Sequence, residues 1–101
     1  MQSARIEFLP SAQADIDHAL DYLLEKDIRA AEAFLDDIER ATGQLHTFPE
    51  TAAISKDERL ANDGYRVMLL IYEYLLFYRV HDGAVYVYRV VDGRRNYGTF
   101  I

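Results

Sequence analysis

Gly64–Tyr97 reads GYRVMLLIYEYLLFYRVHDGAVYVYRVVDGRRNY. Apolar and aromatic residues alternate with other types through most of it, which predicts strands at about residues 65–71, 74–81 and 84–92, forming a three-stranded antiparallel sheet. Asp82-Gly83 is the usual signal for a two-residue hairpin turn, because both central residues of such a turn need positive φ. Tyr72-Glu73 contains no residue that favours that geometry, so the register between the first two strands is less tightly specified.

With two-residue turns at both places, strand alternation sends Val67, Leu69, Ile71, Leu76, Val80, Val85, Val87 and Val91 to one face, with Tyr65, Tyr74 and Tyr78 toward its ends. Arg89 falls on the same face and needs a carboxylate there, with Asp15 and Asp17 as candidates. The opposite face collects three cross-strand rows: Arg66, Arg79 and Tyr86; Met68, Phe77 and Tyr88; Leu70, Leu75 and Val90. An apolar patch of that size on a free face marks a partner, a second copy of the chain or cover by Tyr97 to Ile101, and a partner of some kind is favoured because five residues cannot hide so much surface. Two arginines directly opposite one another destabilise a bare sheet, so an anion is expected between them.

Before the sheet, Ile6 and Phe8 alternate with Arg5 and Glu7 in a short strand that Pro10 stops. Ser11 is the expected cap of a first helix carrying Ile16, Leu20, Leu23 and Leu24. Asp27 is the expected cap of a second, with Ala31, Phe34, Leu35, Ile38, Thr42 and Leu45 in one stripe; Gly43 weakens its last turn and Pro49 ends it. The few residues between them make an antiparallel hairpin, and residues 50–63 read as a loop with room for a helical turn. The expected architecture is α+β in a single domain over residues 1–101: an N-terminal strand, a helical hairpin, then the three-stranded sheet laid against it.

The formal charge of −6 is unevenly spread. Residues 1–63 hold 6 Lys/Arg against 14 Asp/Glu (net −8), and residues 64–101 hold 5 Arg against 3 Asp/Glu (net +2). Contact with a polyanion therefore belongs to the last third of the chain. Cysteine is absent, which removes disulfides and thiolate metal sites. No histidine and carboxylate cluster has metal-ligand spacing, no glycine-rich phosphate loop occurs, and no cofactor is expected. The apolar run Val67–Leu76 is interrupted by Glu73 and too short to span a bilayer, so a cytoplasmic protein is expected.

The order of elements, the phrases LLFYRVHDGAVYVYRVVDGRRNY and LHTFPE, and the closing Gly93-Arg94-Arg95-Asn96-Tyr97 together resemble the RelE/ParE superfamily, the toxin half of type II toxin-antitoxin operons. The resemblance covers nearly the whole chain and implies a small α+β fold, a cognate antitoxin that wraps the toxin, growth inhibition and plasmid stabilisation. It also implies one of two activities: messenger RNA cleavage in the ribosomal decoding site, as in RelE-like members, or inhibition of DNA gyrase, as in ParE-like members. A nuclease of the first kind needs groups that activate the 2'-hydroxyl, stabilise the phosphorane and protonate the leaving oxygen. Carried over by position, Arg66, Arg79, Arg95 and Tyr97 would serve, but Met68 and Leu75 stand where such enzymes carry cations, and neither moves a proton or holds a phosphate. His18, His46 and His81 are scattered, with only His81, beside Arg79, a candidate base.

The residues therefore favour a ParE-like binding toxin over a ribosome-directed nuclease. On that reading Arg66, Met68, Phe77, Arg79, Tyr86 and Tyr88 contact the antitoxin, and Arg94, Arg95 and Tyr97 contact the target. A member that has lost toxicity and persists as an antitoxin-binding module is a third reading. A homodimer and a toxin-antitoxin hetero-oligomer are both open.

Overall fold

The first helix begins where proline fixes φ at a helical value. In the computed structural model, which describes residues 3–52, 54–55 and 58–94, strand β1 (Arg5–Phe8) leads through Leu9 into α1 (Pro10–Lys26). Pro10 occupies the first turn, where its missing N–H costs nothing. The expected Ser11 cap is not made: Leu9 precedes the helix without a side-chain cap, and Ser11 Oγ donates to the Tyr88 carbonyl at 2.7 Å. Asp27 ends α1 in extended backbone and opens α2 (Ile28–Thr47), its carboxylate accepting the Arg29 N–H at 2.9 Å.

Buried Ala12, Ile16, Ala19 and Leu23 of α1 and Ala31, Phe34, Ala41 and Leu45 of α2 form the two apolar stripes. They lie on a mixed four-stranded sheet in the order β1-β4-β3-β2, with β2 Arg66–Leu69, β3 Tyr74–His81 and β4 Ala84–Asp92. β1 pairs parallel to β4, and the other two pairs are antiparallel. Leu76, Tyr78, Val85 and Val87, none of them exposed, meet the helices, and Phe34 stacks edge-on with Tyr74 at 5.1 Å between ring centres. His46 closes the far end by bonding the Ala4 carbonyl through Nδ1 at 2.7 Å, while its own carbonyl accepts the Ala4 N–H at 2.8 Å.

The register departs from strict two-residue turns at two places. Tyr72 and Glu73 do form the turn, at φ of 61° and 62°, but Leu70 N–H bonds the Tyr74 carbonyl while Tyr74 N–H bonds that of Ile71. Ile71 is thus one residue too many, and β2 slips by one: Arg66 faces Tyr78, Val67 faces Phe77 and Met68 faces Leu76. Asp82 and Gly83 form the expected turn at φ of 50° and 75°, and pairing follows expectation up to Tyr78–Val87, after which Tyr88 is an extra residue and Phe77 faces Arg89.

Both slips move side chains between faces. Met68 and Leu70 turn to the helices, whereas Tyr65, Val67 and Val91 turn away, and Leu69 is left 65% exposed. The loop expected at residues 50–63 contains a short helix, α3 (Glu58–Asn62), whose Leu60 packs on Phe77 and Val91 with no exposure of its own. The outer face expected to lie bare is thus partly roofed by the chain itself.

Tyr72 and Glu73 sit in a region that costs an L-residue about 1–2 kcal/mol each. The turn is held from one side by Asp37 of α2, which accepts the Ile71 N–H at 2.7 Å, and from the other by Gly93, which donates to the Glu73 carbonyl at 2.8 Å. Arg40, bonded at 2.7 Å, keeps the Asp37 carboxylate below the usual range despite its partial burial. Replacing Tyr72 with asparagine, which tolerates this geometry, should raise stability by about 1 kcal/mol in denaturant unfolding.

Candidate functional site

Arg66 and Arg79 do not stand opposite one another. With Arg66 across from Tyr78, the two guanidinium groups leave opposite faces of the sheet. Arg66 turns to the loop after α2, donating to the Ala52 carbonyl at 2.7 Å and the Glu50 carbonyl at 3.4 Å. Its neighbourhood includes the buried Tyr78 hydroxyl, whose pKa burial pushes up. Met68 is 8% exposed and Phe77 is fully buried, so neither offers surface to a partner in this fold, and the row Met68, Phe77, Tyr88 does not form. The one-residue slip at Ile71 and the roof of α3 are the physical reasons.

The outer face retains a smaller polar and aromatic cluster. Arg79 is exposed, with its guanidinium carbon 5.4 Å from the Tyr65 ring centre and 5.8 Å from that of Tyr88. The two rings meet edge to face at 5.2 Å, and Tyr88 reaches Tyr65 because the β4 bulge re-aims it. Tyr86 lies directly across from Arg79 as expected, and its hydroxyl accepts from Arg5 at 3.3 Å. Arg79, Tyr86 and Tyr88 thus stand together, and Tyr65, which strict alternation assigns to the helix side, joins them. The signal for Tyr65 is Gly64, whose φ of 84° turns the chain from α3 into β2.

A second concave region lies between α1 and the end of β4, a cleft of about 450 Å³ lined by His18, Tyr22, Tyr74, Arg89, Asp92 and Arg94 among others. On its floor Arg89 makes a two-pronged pair with Asp15, Nε to Oδ2 at 2.6 Å and Nη2 to Oδ1 at 3.0 Å. Of the two carboxylates the sequence offered, Asp15 is the one used, and the pair holds the Arg89 pKa above its usual value. Arg94 is tied to Asp92 at 2.8 Å and lies 3.7 Å from Glu73, which fixes its guanidinium at the end of β4. Arg95 and Tyr97, the other expected target contacts, lie outside the described residues.

The histidines do not converge. His18 lines the cleft, His46 is engaged with Ala4, and His81 lies 3.3 Å from the Asp82 carboxylate at the hairpin tip. Among the described residues no group of three or more His, Cys, Asp or Glu gathers to hold a metal, and no helix is long and apolar enough to cross a membrane. Leu75, where a nuclease of the related kind carries a cation, is packed against the Phe77 cluster.

A solved chain described as "Chromosomal ParDE TA system from P. aeruginosa" is similar in fold, with a TM-score of 0.69 over 89% of this chain and 96% of that one, at 18% sequence identity. No curated protein matches the sequence significantly. The family described as "ParE toxin of type II toxin-antitoxin system, parDE" matches residues 6–97, from β1 through the arginine-rich segment after β4. This chain belongs to the ParE toxin family of type II toxin-antitoxin systems.

Proposed function

We propose that this chain is the toxin of a cytoplasmic toxin-antitoxin pair, acting by binding DNA gyrase and neutralised by a cognate antitoxin. The observation that carries the binding mode is the chemistry of the sheet: Met68 is turned into the helical core, Leu75 is packed under the outer face, and the histidines stand apart. Among the described residues this surface does not bring together the acid, base and cations that RNA cleavage demands. Family membership and the segment that begins at Gly93-Arg94 support a target contact through Arg94, Arg95 and Tyr97. The outer face around Arg79, Tyr86 and Tyr88 is the surface assigned to the antitoxin.

Supercoiling by purified gyrase in the presence of the purified chain tests the target. Inhibition at micromolar toxin, relieved by the protein encoded beside it, is the expected result. Full supercoiling at that concentration removes gyrase from the proposal. Ribosome-dependent cuts in messenger RNA, mapped by primer extension and lost on Arg95→Ala, would replace binding with cleavage.

A further inference from the structure

We propose that Arg79, held by Tyr65 and Tyr88, is a receptor for a single carboxylate presented by an extended acidic polypeptide. Arginines at positions 5, 29, 40, 89 and 94 each have a carboxylate oxygen of this chain at 2.6 to 3.6 Å. Arg66 spends a nitrogen on two backbone carbonyls. Arg79 has no carboxylate among the described residues, although the chain carries a surplus of them. Its guanidinium is instead placed by aromatic contacts, at 5.4 and 5.8 Å from the two ring centres, which leave its N–H donors free of a charged partner.

That arrangement is pre-organised. A planar fork whose position is already set loses less side-chain entropy when it meets a carboxylate, and two parallel N–H···O bonds suit that group. Gly64 is the nearest backbone glycine: an added Cβ would lie 4.0 Å from Arg79 Nε, so no side chain crowds the fork from that side. Among the described residues, the acids nearest along the chain, Asp63 beside Gly64 and Asp82 at the hairpin tip, make no ion pair with Arg79.

Charge decides the class of occupant. A nucleic acid strand is held by rows of cations that displace its counterions. Here Arg79 is joined by two tyrosine rings rather than by a row of cations, an arrangement that suits one carboxylate on the fork and not a run of phosphates. Naming the antitoxin as the owner of that carboxylate rests on the function proposed above; the receptor itself does not depend on gyrase.

The test is a titration of the full chain by nuclear magnetic resonance, following the Arg79 Nε–Hε signal and the rings of Tyr65 and Tyr88. Three probes are used: a blocked peptide of alternating glutamate and alanine, its glutamine counterpart, and a short oligouridylate. The glutamate peptide should shift those signals and the glutamine peptide should not. Arg79→Lys, which keeps charge but loses the fork, should weaken binding about tenfold, and Arg79→Gln should abolish it. Both replacements are at an exposed site, and unchanged thermal melting confirms that the fold survives. Unmoved Arg79 signals with millimolar glutamate peptide, wild-type affinity in Arg79→Lys, or tighter binding of the oligouridylate would each overturn the assignment. None of these outcomes bears on supercoiling, so the receptor and the gyrase target fail separately.

Discussion

Asp15→Ala should destabilise the fold by about 3 kcal/mol, because one carboxylate serves two elements at once. Its Oδ2 accepts both Arg89 Nε at 2.6 Å and the Val90 N–H at 2.9 Å, so the side chain joins α1 to β4 immediately after the bulge. Removing it takes the compensating charge from an arginine whose side chain is only 23% exposed and leaves the Val90 N–H without this acceptor. Buried pairs broken on one side cost about 3–5 kcal/mol, and the residual exposure of both partners places this one at the low end. Asp15→Leu combined with Arg89→Met should recover most of the loss, since the desolvation cost of both ions goes with them. Urea unfolding of the single and double variants measures this. A loss under about 1 kcal/mol for Asp15→Ala would reduce the pair to a surface contact.

That link was half legible in the chain. A buried arginine on a sheet demands a carboxylate, and the acidic side of α1 offered Asp15 and Asp17; only three-dimensional placement selects Asp15. The Asp82-Gly83 turn was legible because its residues themselves tolerate positive φ. Tyr72 and Glu73 take positive φ although their types resist it, since the constraint is imposed by distant groups, Asp37 and Gly93. The weak turn signal at Tyr72-Glu73 left this register loosely specified without pointing to the extra Ile71, and one inserted residue was enough to move Met68 inward and Val67 outward. A helical turn within residues 50–63 was legible, but its role as a roof was not: Leu60 is an apolar residue between charged and polar stretches, and its burial follows from meeting Phe77 and Val91. What survives of the expected outer site is the part nearest the well-specified hairpin, Arg79, Tyr86 and Tyr88, as register errors grow with distance from the turn that sets them.

Gly93→Ala should cost about 2 kcal/mol, whereas Gly43→Ala should stabilise by about 1 kcal/mol. A Cβ at Gly93 would lie 2.7 Å from the Glu73 carbonyl oxygen and 3.0 Å from Leu75 Cγ. The first of these atoms is backbone in a turn whose residues already hold positive φ, so it has little freedom to move aside. The end of β4 would have to lift, lengthening the 2.8 Å bond from Gly93 N–H to Glu73 and drawing Arg94 away from the Glu73 carboxylate. Gly43 lies within α2 with nothing within 4 Å of its added Cβ, so alanine there meets no clash and improves helix propensity. The contrast also bears on activity. Gly93 directly follows β4 and precedes Arg94, so on the gyrase target proposed above Gly93→Ala should weaken inhibition beyond the loss of folded protein, and Gly43→Ala should leave it unchanged. Equal stability of the two variants in urea would show that the end of β4 does not pack closely on the turn, and the fixed placement of Arg94 would fall with it.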